Sequence, residues 1–172
     1  LYARRGQSGQ KAMRLFFLLI LLTAMMGVIY YDGRWRRIPN FITFPLLAVG
    51  ALAQFLSHGW SGVYLSMAGM TVGAGILLPV YLLGGLGGGD VKLAAAVGAS
   101  VGVRLIGSVL FFTALSGGLL ALWWIYRQNS ALRWLPQTSL QEPALSDTLP
   151  YGWAIAIGTM LTLGIHPLEV WL

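Results

Sequence analysis

Apolar residues in this chain run in long stretches broken by short polar segments. The first stretch, Leu15 to Tyr31, follows a polar start carrying Arg4, Arg5, Lys11 and Arg14. A basic start before an apolar run resembles a secretory signal, but this run reaches span length and ends in Tyr30-Tyr31-Asp32, as a first transmembrane helix does. Further stretches run from Phe41 to Leu56, Val63 to Leu83, Val91 to Val103 and Leu105 to Tyr126. A last one opens at Leu149-Pro150-Tyr151-Gly152 and runs to Ile165. The pattern predicts an all-α integral membrane protein of about six transmembrane helices. It comprises one domain, 15–172, behind a basic tail, 1–14. The stretch from Val91 is short for a span and reads as a short crossing that enters from a glycine loop.

The breaks between runs carry local signals. In 32–40, Asp-Gly-Arg-Trp-Arg-Arg-Ile-Pro-Asn, Pro39 ends any continuous helix and Asn40 is placed to cap the next. Ser57 to Ser61 reads as a tight turn, and Pro79 as a kink near the end of its run. Gly69 and Gly73, and again Ala94, Gly98 and Gly102, recur every fourth residue, as small-residue stripes for close helix packing do. Residues 127–149 form the long polar connection. A disordered segment, an interfacial helix and a lid are all compatible with them.

Composition agrees with the pattern: 57% of residues are hydrophobic and 9% charged, with mean hydropathy +0.74, against about 25% charged in soluble domains. The chain has no cysteine, which excludes a disulfide framework, a cysteine nucleophile and a cysteine zinc site. His58 and His166 lie far apart, so no metal cluster is expected. The net charge of +6 reads as a mark of the cytoplasmic face rather than of nucleic-acid binding. If every run crosses, Asp32, Asp90 and Pro150-Tyr151-Gly152 share one face. That face also carries Arg34, Arg36, Arg37, Lys92, Arg127 and Arg133, against Arg104 from the opposite loops. The loops place this face in the cytoplasm; the basic tail, on the other side, disagrees.

Two acids stand out of the five. Asp90 follows Gly87-Gly88-Gly89, and Asp32 ends the first run. An ionisable group bounded by apolar spans is a functional candidate, and glycines leave a carboxylate open to an incoming chain. Two carboxylates in a low-dielectric site resist ionising together and so share a proton. Such a pair activates water for attack on a peptide carbonyl and needs no metal or cofactor. Each acid also has a plain structural role open to it. Asp32 can pair with the neighbouring arginines, Asp90 can cap the next helix, and Lys92 can snorkel at the interface. A peptidase, a proton-coupled transporter and a non-catalytic assembly scaffold all remain compatible with these residues.

Three motifs narrow the choice: Asp32 with Arg37-Ile38-Pro39-Asn40; Gly87-Gly88-Gly89-Asp90-Val91-Lys92-Leu93 continuing to Ala99; and Pro150-Tyr151-Gly152-Trp153-Ala154-Ile155-Ala156. In order and approximate spacing, across residues 15 to 165, they resemble the type IV prepilin peptidases, membrane aspartic proteases of the GxGD class. The resemblance implies that Asp32 and Asp90 are the catalytic pair. Gly87, Gly88, Gly89, Lys92, Arg37, Pro39, Asn40, Pro150, Tyr151 and Gly152 would shape the loops and the approach to it. It implies prepilin or pseudopilin precursors as partners, cleaved before their hydrophobic helix at the cytoplasmic face of a bacterial inner membrane. Larger members carry a zinc-binding cysteine insertion associated with N-methylation. Without cysteines, this chain is expected to be a peptidase only, similar to the compact tight-adherence pilus enzymes. Ser100 stands where many relatives have an aromatic residue.

Overall fold

A computed structural model describes residues 2–132 and 151–166. Five helices follow in order: α1 (Tyr2–Trp35), α2 (Asn40–His58), α3 (Trp60–Leu82), α4 (Gly88–Leu132) and α5 (Tyr151–Ile165). Four are long and apolar enough to cross a membrane, and α5 is a shorter apolar helix.

Helix α4 is two arms. At Gly102 the backbone takes φ 71° and ψ 174°, a region open essentially to glycine alone, and the chain doubles back. Asp90 and Gly117 consequently line one cavity, whereas a straight helix would hold them about 40 Å apart. Counting both arms, the described residues form six helical segments, in line with the six apolar runs. The bend at Gly102 falls at the expected end of the short run.

The small-residue stripes pair with each other. A Cβ at Gly69 would strike the Gly98 carbonyl and Gly102, and one at Gly73 would strike the Ala94 carbonyl. Without side chains at these positions the first arm of α4 lies against α3, antiparallel and nearly backbone to backbone. In a bilayer, where lipid is as apolar as leucine, such contact supplies much of the association energy. The same register sets Leu65 beside Gly102 and Leu77 level with Asp90. Five residues of α3 therefore extend past the level of Gly102 at one end and five past the level of Asp90 at the other, so Asp90 is recessed by about 7.5 Å from the end of α3. Ser100 meets its neighbour in the same way. A Cβ at Gly50 would overlap it, and its carbonyl accepts a 3.0 Å hydrogen bond from Gln54 Nε2. With α2 this close, position 100 has room for a small side chain.

Several local expectations are corrected. Helix α1 begins at Tyr2 and takes in the basic start of the chain. Asn40 does not cap α2. Pro39 holds the N-cap position, φ −73° and ψ 140°, and Asn40 is the first helical residue. The turn expected over Ser57 to Ser61 contracts to Gly59 alone, whose φ of 62° suits a residue without Cβ. The second arm of α4 continues to Leu132, so the polar connection is helical at its start. The rest of it, with Pro150, lies outside the described residues.

Candidate active site

Asp32 occupies the last turn of α1 and is 5% exposed. Helix α5 brings its N-terminus onto this carboxylate. The Gly152 and Trp153 amides face it, and the Trp153 indole N–H donates to the Ile29 carbonyl at 3.0 Å. The indole lies over Gly33, where a Cβ would stand 3.0 Å from the ring. A Cβ at Gly152 would stand 2.7 Å from Asp32 Oδ2. Two glycines, one on each helix, thus allow the approach. The positive end of the α5 dipole suits a negative charge there. Oδ2 itself is buried and makes no hydrogen bond.

Asp90 is the third residue of α4. The Gly87 N–H donates to Asp90 Oδ2 at 3.0 Å, and the Asp90 N–H donates back to the Gly87 carbonyl at 3.1 Å. This is the acidic half of a capping box, so the structural role open to Asp90 is real. The three glycines act through closeness rather than through unusual backbone, since the positive φ of this loop is at Gly84. Gly87 binds the carboxylate, Gly88 faces the Tyr81 ring, and Gly89 receives Ile38, 3.2 Å from a Cβ there. The 36–39 loop thereby packs over the start of α4.

Asp32 and Asp90, from helices far apart in sequence, line one cavity of about 560 Å³, with Tyr151 at its α5 side. Tyr151 packs on Gly117 of the second arm. Of the other expected site residues, Gly87 and Tyr151 line this cavity, whereas Gly88, Gly89 and Gly152 do not and pack against Tyr81, Ile38 and Asp32. Others stand back from it. Lys92 Nζ donates to Asn40 Oδ1 at 3.3 Å and lies 5.9 Å from the Phe44 ring centre, outside the cavity. Pro39 starts α2, and Arg37 is exposed and does not line the cavity.

Arg36 reaches the cavity instead. It follows the last residue of α1 with φ 50°, the left-handed conformation that commonly ends a helix and is costly for a residue with Cβ. Its N–H closes onto the Asp32 carbonyl at 2.9 Å, and its charge acts on the Asp32 carboxylate. Gly117, Gly118, Leu120 and Ala121 on the second arm also face the cavity and were not singled out by motif. Their signal is the Gly117-Gly118 doublet within an apolar run. No group of three His, Cys, Asp or Glu capable of holding a metal occurs among the described residues.

These features define an all-helical membrane protein with two buried carboxylates on one recessed cavity. A model of the type IV leader peptidase family matches residues 15–122, and the chain belongs to that family. It is 29% identical over 164 residues to a Bacillus subtilis prepilin leader peptidase/N-methyltransferase, covering 94% of this chain and 60% of the relative. It is 26% identical over 160 residues to one from Escherichia coli, covering 89% and 62%. The chain therefore spans about three fifths of the length of these relatives. No solved structure matches it.

Proposed function

We propose that this protein is a membrane-embedded aspartic endopeptidase that removes leader peptides from type IV prepilin-like precursors at the cytoplasmic face. The observation that carries the reading is that Asp32 and Asp90, contributed by separate helices, face a single cavity. Membership of the leader peptidase family supports the substrate class.

In the proposed cycle the pair holds one proton and one negative charge. The ionised carboxylate accepts a proton from water as the water oxygen bonds to the scissile carbonyl carbon. The protonated carboxyl donates to the carbonyl oxygen. As the tetrahedral intermediate collapses, the C–N bond breaks and a carboxyl proton passes to the leaving amine. The α5 N-terminus and Arg36 supply positive potential for the one negative charge. Tyr151 and Gly152 are positioned to shape the wall where the peptide lies; Pro150, just before them, is assigned with them on its motif alone.

The cytoplasmic assignment rests on Arg34, Arg36, Arg37 and Lys92 at the end of the bundle that holds the aspartates. Arg14 lines a crevice with Ser100 at the opposite end, so the basic start of α1 argues the other way. The loop residues flank several spans and support the cytoplasmic reading. The proposal covers hydrolysis alone, not the methyl transfer in the relatives' names.

The test is cleavage in detergent or liposomes. A precursor with an intact basic leader is incubated with wild type, Asp32→Asn and Asp90→Asn, and product masses are read. A product cut ahead of the hydrophobic segment, formed by wild type alone, is expected. Normal turnover by either variant would remove the two-aspartate mechanism. An uncut precursor with folded wild type, across several pilin types, would favour an assembly scaffold.

A further inference from the structure

Asp32 and Asp90 belong to helices that touch each other little. Helix α1 packs chiefly on α2 and α5, and α4 on α3, α5 and α2. The separation of the two carboxylates is therefore set by the pieces that join them. One is α5, which rests on Asp32 at Gly152 and packs along α4. The other is the loop from Asp32 to Asn40. That loop is fastened to the start of α4 at two points, one on each side of Asp90. Before Asp90, Ile38 packs on Gly89, where a Cβ would stand 3.2 Å from the Ile38 side chain. After it, Lys92 Nζ donates to Asn40 Oδ1 at 3.3 Å. The same ammonium lies 5.9 Å from the centre of the Phe44 ring, one turn further along α2. At its other end the loop closes on Asp32, whose carbonyl accepts from the Arg36 N–H at 2.9 Å.

Helix dipoles do not favour a cation at this place. Lys92 lies near the N-terminus of α4 and against the first residue of α2, and the partial charge at both helix ends is positive. A lysine that only snorkels carries its ammonium out to water, whereas Lys92 keeps it on Asn40 and Phe44. The contact joins the first motif to the second through residues that do not line the cavity.

We infer that Lys92 and Asn40 form a clamp that positions Asp90 against Asp32. Both are positioning residues and act through the loop between α1 and α2. Ile38 holds α4 just before Asp90 and Lys92 ties it just after, so the backbone of one acid is fixed to a loop that begins at the other. An exposed bond of this kind contributes little to overall stability. Its effect falls on the distance between reacting groups, where a displacement of about 1 Å changes rate about a hundredfold. The inference rests on the peptidase reading.

The test is a double-mutant cycle on a precursor that wild type cleaves. Lys92→Met keeps the side-chain stem and removes the ammonium, and Asn40→Ala removes the acceptor. Each is expected to lose about tenfold in kcat with KM within about twofold, and thermal unfolding to change little. The double variant is expected to be no slower than the slower single one. A chemical rescue completes the test. The chain has no cysteine, so Lys92→Cys carries a single thiol. Before precursor is added, 2-bromoethylamine alkylates that thiol with loss of bromide and a proton, leaving a thioether analogue of lysine. The treatment is expected to restore the rate beside Asn40 and not beside Asn40→Ala. Rescue in both backgrounds assigns Lys92 to its charge alone and overturns the clamp. Additive losses, no loss in either single variant, or a change confined to KM overturn it as well. All of these leave the peptidase reading standing. Failure of wild type to cleave any precursor removes that reading, and the clamp with it.

Discussion

Gly152 at the start of α5 sits so close to Asp32 that a Cβ in its place would stand 2.7 Å from the carboxylate oxygen. The contact couples the third motif to the first, with no side chain between helix terminus and acid. Gly152→Ala must push either α5 or the carboxylate aside. A displacement near 1 Å at a reacting group lowers rate about a hundredfold. Initial rates of leader cleavage should fall to that extent, while circular dichroism of the purified variant remains helical.

Asp90 has two roles that substitution separates. Asn keeps an oxygen able to accept from the Gly87 N–H but cannot exchange the proton that hydrolysis needs. Asp90→Asn should lose at least about a hundredfold in rate with little change in thermal unfolding. Asp90→Ala should lose the rate and, in addition, about 1 kcal/mol of stability with its cap. Equal unfolding curves for the two variants would show that the capping contact is unimportant.

Hydrolysis by a shared-proton pair requires one carboxyl protonated and one ionised. Cleavage rate should therefore rise with pH as the pair loses its first proton and fall as it loses the second, giving a bell whose limbs belong to the pair. The measurement is kcat/KM for one precursor across the range in which the protein stays folded. A profile flat across that range would argue against the pair.

Trp153 ties α5 to α1 through its bond to the Ile29 carbonyl. Trp153→Phe removes the N–H together with the indole edge (Cζ2, Nε1 and Cε2) that lies over Gly33. The expected loss is about 0.5–1.5 kcal/mol of stability, together with a several-fold fall in kcat and little change in KM, because Asp32 is held less firmly. A change in KM alone would instead assign the indole to substrate contact.

Gly102 carries the reversal within α4. Gly102→Ala forces a side chain into backbone space that L residues avoid, at a cost of about 1–3 kcal/mol, and its Cβ would lie 3.2 Å from Gln54 Nε2. Lower thermal stability in detergent is expected, without loss of helix content.

The apolar runs, the two embedded acids and the three motifs were legible along the chain because each is a local property. Span length, the cost of a charge beside lipid, and the spacing of small residues all act within a few turns of helix. The same locality explains the misjudged details. Asn40 looked like a cap, but the loop that packs Ile38 onto Gly89 sets the N-cap at Pro39. Lys92 and Arg37 sit inside motifs and do not line the cavity. Arg36, one position from a motif residue, turns inward because α1 ends there in a left-handed step. Which residues meet across the bundle was decided by tertiary packing alone. The α3–α4 register recesses Asp90, the break at Gly102 returns Gly117 and Gly118 to the site, and α5 sets its amides on Asp32. Those outcomes depend on how closely backbones approach at glycines on different helices. Such contacts join positions distant in sequence, and no single segment encodes them.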